Sequence, residues 1–239
     1  MARWKRSLGI VAVLLAAVIV LAGPGLLIAK RLKHGYAQWR LPAEVAANAD
    51  HLFHGRLTPV MGNPDARVNV VVFTDYNCPY CREGEPSINR LEEHARNIRL
   101  VLKELPILGD DSVAVAKLAL AAKKQGRYWP FRVKLFEADG HMTAGRALVI
   151  ARGLGIDTEK LRRDAASPEI EDELDENRIL ANQIGVPGVP YYLVGDQQID
   201  EGPHLYQRLE EAISAARARS TPGGVETCEA SDCEVHAGF

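Results

Sequence analysis

The spacing of apolar residues along the chain switches between a helical and an extended period, and each switch predicts an element. Tyr36 to Arg56 carries Leu41, Val45, Asn48/Ala49 and Leu52/Phe53 at helical spacing and predicts a short helical lead. Gly55, Pro59, Gly62 and Pro64 then break the chain. Val68 to Thr74, Val-Asn-Val-Val-Val-Phe-Thr, is apolar and β-branched without alternation, as in a central strand buried on both faces. A helix is expected from Tyr80 to near Asn97, with Ile88, Leu91 and Ala95 on one face. Ile98 to Glu104 alternates and predicts a second strand.

A long helical tract follows. Asp110-Asp111-Ser112 offers N-caps for a helix ending at Gly126. Tyr128 to Ala138, Thr143 to Leu154 and Asp157 to Ala166 continue the helical pattern. Ser167-Pro168, a cap followed by proline at the first helical position, opens a helix to about Gln183. Strand signals return at Tyr191 to Val194 and, after a turn at Gly195-Asp196, at Gln198-Ile199, which predicts a hairpin. His204 to Ala218 is a final amphipathic helix, and residues 220–239 form a Gly-, Pro- and acid-rich tail.

The N-terminus departs from this globular pattern. Ser7 to Ala29 is a run of 23 uncharged residues, with Arg3, Lys5 and Arg6 before it and Lys30, Arg31 and Lys33 after it. About 20 apolar residues cross a bilayer, so the run is long enough for a membrane anchor. It also suits a signal peptide, with Leu8 to Val20 as the apolar region and Val20-Leu21-Ala22 before the cleavage point. The resumption of apolar residues at Leu26-Leu27-Ile28 favours the uncleaved anchor. Either way the rest of the chain is exported.

The 239-residue composition, 47% hydrophobic and 25% charged, suits one domain with a real core, and a net charge of −2 gives no basic surface for nucleic acid. The cysteines are Cys78, Cys81, Cys228 and Cys233, too few for a disulfide-stapled framework in an exported chain. Cys78-Pro-Tyr-Cys81 alone admits a metal clasp, a structural bridge or a redox couple. Zinc needs four ligands, but Cys228 and Cys233 lie 147 residues beyond Cys81, and His51 and His54 are expected to face solvent. A structural disulfide across two residues removes little chain entropy. Redox use is the best reading: Cys78 falls at a helix N-terminus, where unpaired N–H groups and the dipole stabilise a thiolate. Cys81, one turn inside and less exposed, is placed to close or release the ring. Pro79 suits the first turn, where the N–H it lacks would be unpaired.

Pro190 stands immediately before a strand, where proline is disfavoured unless the position is special. "FTDYNCPYC", "KELPILGDDS" and "GVPGVPYYLVG" together resemble the DsbA family of the thioredoxin superfamily, the exported thiol:disulfide oxidoreductases, over about Leu41 to Arg217. The resemblance implies an α/β thioredoxin fold with an inserted α-helical domain, preceded by the N-terminal transmembrane or signal helix. The corresponding segments are 1–33, 34–64, 65–104 with 184–219 as the thioredoxin-like part, 105–183 as the insertion, and 220–239 as the tail. It implies that Pro190 is the family's cis-proline and that the backbone of Val189 receives a substrate peptide as an extra strand. Pro187 would belong to the preceding turn.

Tyr80 is expected to face solvent and touch substrate. Asp75 and Glu104 flank the site; either supports proton transfer at Cys81, or Asp75 caps the helix and Glu104 is solvated. Cys228 and Cys233 are expected to form a second disulfide. The activity implied is oxidation of reduced exported proteins with no cofactor beyond the Cys78–Cys81 disulfide, which a quinone-linked membrane partner restores. Isomerase or reductase work, with a thiol-reductase partner, and soft-metal (copper) binding by the same cysteines are the alternatives.

Overall fold

Asn69–Thr74 lies at the centre of the molecule because its residues are apolar on both sides, Val70 to Phe73 all being buried. The structure, a computed structural model, describes residues 39–94 and 97–220. Its strands are β1 (Val60–Gly62), β2 (Asn69–Thr74), β3 (Arg99–Glu104), β4 (Tyr191–Val194) and β5 (Gln197–Ile199). They form one sheet in the order β1-β3-β2-β4-β5. β2 and β3 are parallel, and the other pairs are antiparallel.

Helices cover both faces. They are α1 (39–47), α2 (Ala49–His54), α3 (Pro79–His94), α4 (Asp110–Lys123), α5 (Tyr128–Glu137), α6 (Ala144–Gly153), α7 (Thr158–Ala165), α8 (Pro168–Gln183) and α9 (Leu205–Ser220). Side chains alternate across a strand, so Val70, Val72, Leu100, Leu102 and Tyr192 share one core with Ile88, Leu91, Leu209 and the apolar residues of α4 to α7. Val71, Phe73, Val101, Tyr191 and Leu193 face the other way, against Leu41, Val45, Leu52 and Leu180 of α1, α2 and α8 and Ile184 just after α8. Helices α4 to α8 all lie between β3 and β4, where a helical insertion was expected. Thioredoxin-type α/β architecture results, with a crossover β2–α3–β3 whose strands both end at one edge.

The structure corrects several expectations. β1 forms where breaks alone were expected: Val60, Met61 and Gly62 pair antiparallel with β3 despite Pro59 just before them. An edge strand of this kind tolerates proline beside it. The N-cap of α4 is Gly109 at φ 107°, a left-handed conformation suited to glycine, and Asp110 to Ser112 fall in the first turn. Helix α3 is described over Pro79–His94, and residues 95 and 96, next to its expected end near Asn97, lie outside the described residues. Ser167 is the N-cap of α8 and Pro168 its first residue, as expected, but the cap makes no side-chain bond to the helix; its hydroxyl accepts from Lys124 Nζ at 3.3 Å. The apolar run Ser7–Ala29 and the pair Cys228/Cys233 lie outside the described residues. Among the described residues no helix is long and apolar enough to cross a membrane.

A second polar centre fixes the N-terminal segment to the α8 side. Lys103, 2% exposed, donates through Nζ to the His51 carbonyl at 2.9 Å and to Thr58 Oγ1 at 2.7 Å. Glu173 accepts from Leu57 N–H and Thr58 Oγ1 at 3.0 and 2.6 Å. Burial, only partly offset by Glu173, lowers the Lys103 ammonium to about 8. These bonds lie on the face of the sheet opposite to the cysteines. His51 and His54 are exposed, as expected.

Candidate active site

The cysteines sit where β2 hands over to α3. Asp75 accepts the Cys78 N–H at 3.1 Å through its carbonyl, which turns the chain and leaves Cys78 just ahead of Pro79, the first residue of α3. Cys78 and Cys81 are both free thiols. Little surface remains on either, Cys78 being 4% exposed and Cys81 3%, but Cys81 lies the deeper of the two, as expected. Cys78 is closed over by the loop before β4, where its Sγ donates to the Val189 carbonyl at 3.4 Å. The Val189–Pro190 bond is cis.

What separates the two sulfurs is their hydrogen bonding. The Cys81 thiol donates to Cys78 Sγ, and the backbone N–H groups of Cys81 and Tyr80 add two more donors. Together they lower the Cys78 thiol to about 6, against opposing contributions from burial and the Asp75 charge. Burial pushes Cys81 strongly upward, and the bond it donates to Cys78 holds its proton in place. Two donors counteract this, the Asp75 N–H and the Thr74 hydroxyl. The geometry therefore sets one sulfur up as a thiolate and keeps the other as its proton-bearing neighbour.

Asp75 is buried, and its carboxylate is engaged by the N–H groups of Asn77 (2.8 Å), Ile107 (2.9 Å) and Leu108 (3.0 Å) and by the Ser112 hydroxyl (2.7 Å). It neither caps α3 nor offers a spare lone pair toward Cys81; it fastens the loop after β3 to the motif. Asn77 extends the fastening, exchanging bonds with the Met142 backbone at 2.7 and 3.0 Å. Arg82, next to Cys81, donates to the carbonyls of Phe136 and Ala138 at the end of α5.

Glu104 is fully buried, which corrects the solvated alternative: β3 lies inside the sheet, and α4 and α5 cover this face. Its Oε1 accepts from the hydroxyls of Tyr76 (2.7 Å) and Tyr128 (2.6 Å). Burial raises its carboxyl to about 7, although Arg132 and the two hydroxyls pull the other way. Arg132, wholly buried, makes a bidentate pair with Glu85 of α3, Nε to Oε1 at 3.0 Å and Nη2 to Oε2 at 2.7 Å. None of Thr74, Tyr76, Glu85, Tyr128 and Arg132 stood out in the sequence. Only the strand phase, which turns Thr74 toward α3, offered a signal for one of them.

Tyr80 is 59% exposed, as expected, and opens onto a groove of about 800 Å³ bordered by Glu83, Gly84, Tyr192, Glu201 and Tyr206. Among the described residues no group of three or more His, Cys, Asp or Glu is arranged to hold a metal ion.

Comparison with known proteins places this arrangement. A thioredoxin-like oxidoreductase from Silicibacter pomeroyi superposes with a TM-score of 0.67 at 39% identity, over 72% of this chain and 98% of that one. A probable disulfide bond formation protein D from Bacillus anthracis is 28% identical over 54% of this chain and 66% of its own length. A Na(+)/H(+) antiporter, NhaA 3, from Salinispora tropica is 28% identical over 69% of this chain; the chain spans 26% of that protein's length. The DSBA-like thioredoxin domain matches residues 69–214, from the first residue of β2 into α9. The chain thus belongs to the DSBA-like thioredoxin domain family.

Proposed function

We propose that this protein is an exported dithiol oxidase that passes the Cys78–Cys81 disulfide to reduced protein substrates. The observation that carries the reading is the set of donors converging on Cys78 Sγ, which makes it the better leaving group and the better thiolate. A substrate thiolate attacks Cys78 Sγ, the Cys78–Cys81 bond breaks, and Cys81 Sγ leaves with the electron pair and takes up a proton. A second substrate thiolate then attacks the substrate sulfur of the mixed disulfide. Cys78 departs as a thiolate, the substrate gains a disulfide, and the enzyme is left reduced.

The Val189–Pro190 loop faces Cys78 and supports its role as the peptide-docking rung, with Tyr80 at the substrate side. Glu104 is the better candidate for proton transfer support because its carboxyl titrates near neutrality, whereas Asp75 is committed to the loop. Residues 105–183 act as the helical insertion on the thioredoxin-like part, 65–104 with 184–219. Export rests on the apolar run Ser7–Ala29 and its basic flanks, and a quinone-linked membrane protein is the partner that reoxidises the couple.

The reduction potential of the Cys78–Cys81 pair tests the direction of exchange. A value toward about −120 mV is expected, and one near about −270 mV transfers the protein to the reductases. Cys81→Ala is expected to trap substrates on Cys78 as mixed disulfides, visible on non-reducing gels and abolished in Cys78→Ala/Cys81→Ala. Stoichiometric copper lost with Cys78→Ala, together with no trapped substrate, refutes the enzyme reading in favour of metal binding.

A further inference from the structure

Exchange at this site creates a chemical difficulty that Cys78 does not solve. Whenever the Cys78–Cys81 bond opens or closes, Cys81 Sγ carries negative charge, and it does so in a closed, apolar setting. An uncompensated buried anion is strongly disfavoured, and burial is the largest influence on this thiol. Something must stabilise the sulfur as charge develops.

Thr74 is the last residue of β2, is 2% exposed, and shares the strand phase of Val70 and Val72. Those two residues pack in the same core as Ile88 and Leu91 of α3, so the Thr74 side chain is directed at the helix that carries Cys81. It stands beside Glu104 in the parallel register. Thr74 thus faces Cys81 across the same core, and its hydroxyl, like the N–H of the next residue, Asp75, favours negative charge on that sulfur. Strand end, backbone turn and helix thus place two donors on the one atom that must become an anion.

We propose that Thr74 is a catalytic residue whose hydroxyl, with the Asp75 N–H, forms the anion site for Cys81 Sγ during disulfide exchange. The arrangement works as an oxyanion hole does, with sulfur in place of oxygen. When substrate opens the disulfide, the two donors stabilise Cys81 as the departing thiolate before it takes up a proton. When Cys81 attacks a mixed disulfide on Cys78, the same donors stabilise it after its proton has left. Thr74 therefore accelerates both directions and affects Cys78 only through Cys81. The proposal rests on the reading of Cys78 and Cys81 as the exchanging pair.

The test is single-turnover kinetics of the full-length protein with a cysteine-containing peptide, comparing wild type, Thr74→Val and Thr74→Ser. Valine keeps the shape and removes the donor, and serine keeps the donor. Loss of a hydrogen bond to a charged group predicts opening of the disulfide about tenfold slower, or more, in T74V, with T74S close to wild type. The pH profile for closure of a peptide mixed disulfide by Cys81 is expected to move upward in T74V. Its ionisable neighbours Cys78, Asp75 and Tyr192 are the same in all three proteins, and the Cys78 thiolate midpoint is expected to stay in place. A T74V rate equal to wild type, or T74S as slow as T74V, overturns the proposal. Should T74V fail to fold, Thr74→Ala against T74S gives the same comparison. A wild-type protein that never forms a mixed disulfide at Cys78 refutes the exchange reading itself, a distinct outcome.

Discussion

Replacing Glu104 by glutamine is expected to flatten the dependence of stability on pH between about 4.5 and 8. The carboxyl titrates at about 7 in the folded protein against an ordinary 4.5. The difference of about 2.5 units, at about 1.36 kcal/mol per unit, is about 3 kcal/mol. The folded state holds this proton more tightly than the unfolded chain, so the stabilisation is complete below the ordinary value. It is lost as the pH rises through 7. For a chain of this size about 3 kcal/mol corresponds to a fall in Tm of about 6 to 12 °C. Glutamine keeps one oxygen for the hydroxyls of Tyr76 and Tyr128. Its amide nitrogen takes the place of Oε2, which has no hydrogen-bond partner among the described residues. E104Q is therefore expected to lie about 1–3 kcal/mol below wild type at the low-pH end and to be nearly flat, so that the two curves converge toward pH 8. The assay is urea unfolding of the oxidised protein at several pH values. Oxidation matters because the reduced Cys78 thiol, lowered to about 6, contributes stability that grows with pH in the same window. Lys103 titrates higher, at about 8, and leaves the lower part of the window clear. Parallel slopes for wild type and E104Q would refute the assignment of this charge to Glu104.

Further outcomes follow from the same contacts. In the reduced protein, thiolate absorbance is expected to reach half its amplitude near pH 6, and a midpoint near the ordinary 9.0 would remove the basis for the role of Cys78. A Cβ on Gly84 would stand 2.1 Å from Tyr192 Oη and 3.3 Å from Leu205 Cδ2. Gly84→Ala is therefore expected to cost about 1–3 kcal/mol, and Tyr192→Phe to recover part of that loss; strict additivity in the double-mutant cycle speaks against the clash. Arg132→Met strands the buried Glu85 carboxylate and is expected to cost about 3–5 kcal/mol by denaturant unfolding at neutral pH. A loss within the range of a surface substitution means the pair contributes little.

The elements that were legible in the sequence are those whose period is imposed by burial. β2 reads as a two-face strand because it is one, and the hairpin Tyr191–Ile199 announces itself through Gly195-Asp196. β1 was hidden, since three residues between Pro59 and Pro64 are too few to show a period. Cys78 and Cys81 were legible because strand, cysteines and helix are contiguous, and Pro190 because proline is unusual at a strand entry. The interior polar system was not. Glu104, Tyr76, Tyr128, Arg132 and Glu85 come from separate elements, and nothing in local periodicity says that an arginine among the aromatics of α5 turns inward. The opposite burial of Lys103 and Glu104 follows from their being neighbours on a strand covered on both faces.

Pro79 and Tyr80 stand between the two cysteines at the start of α3. The Tyr80 N–H reaches Cys78, while both side chains lie at the surface. Substitutions there change the field at the sulfur without opening a hole in the interior. A lineage, or an engineer, can retune the electron affinity of the couple by exchanging two exposed side chains while the sheet, the tyrosine–glutamate cluster and the arginine pair stay as they are.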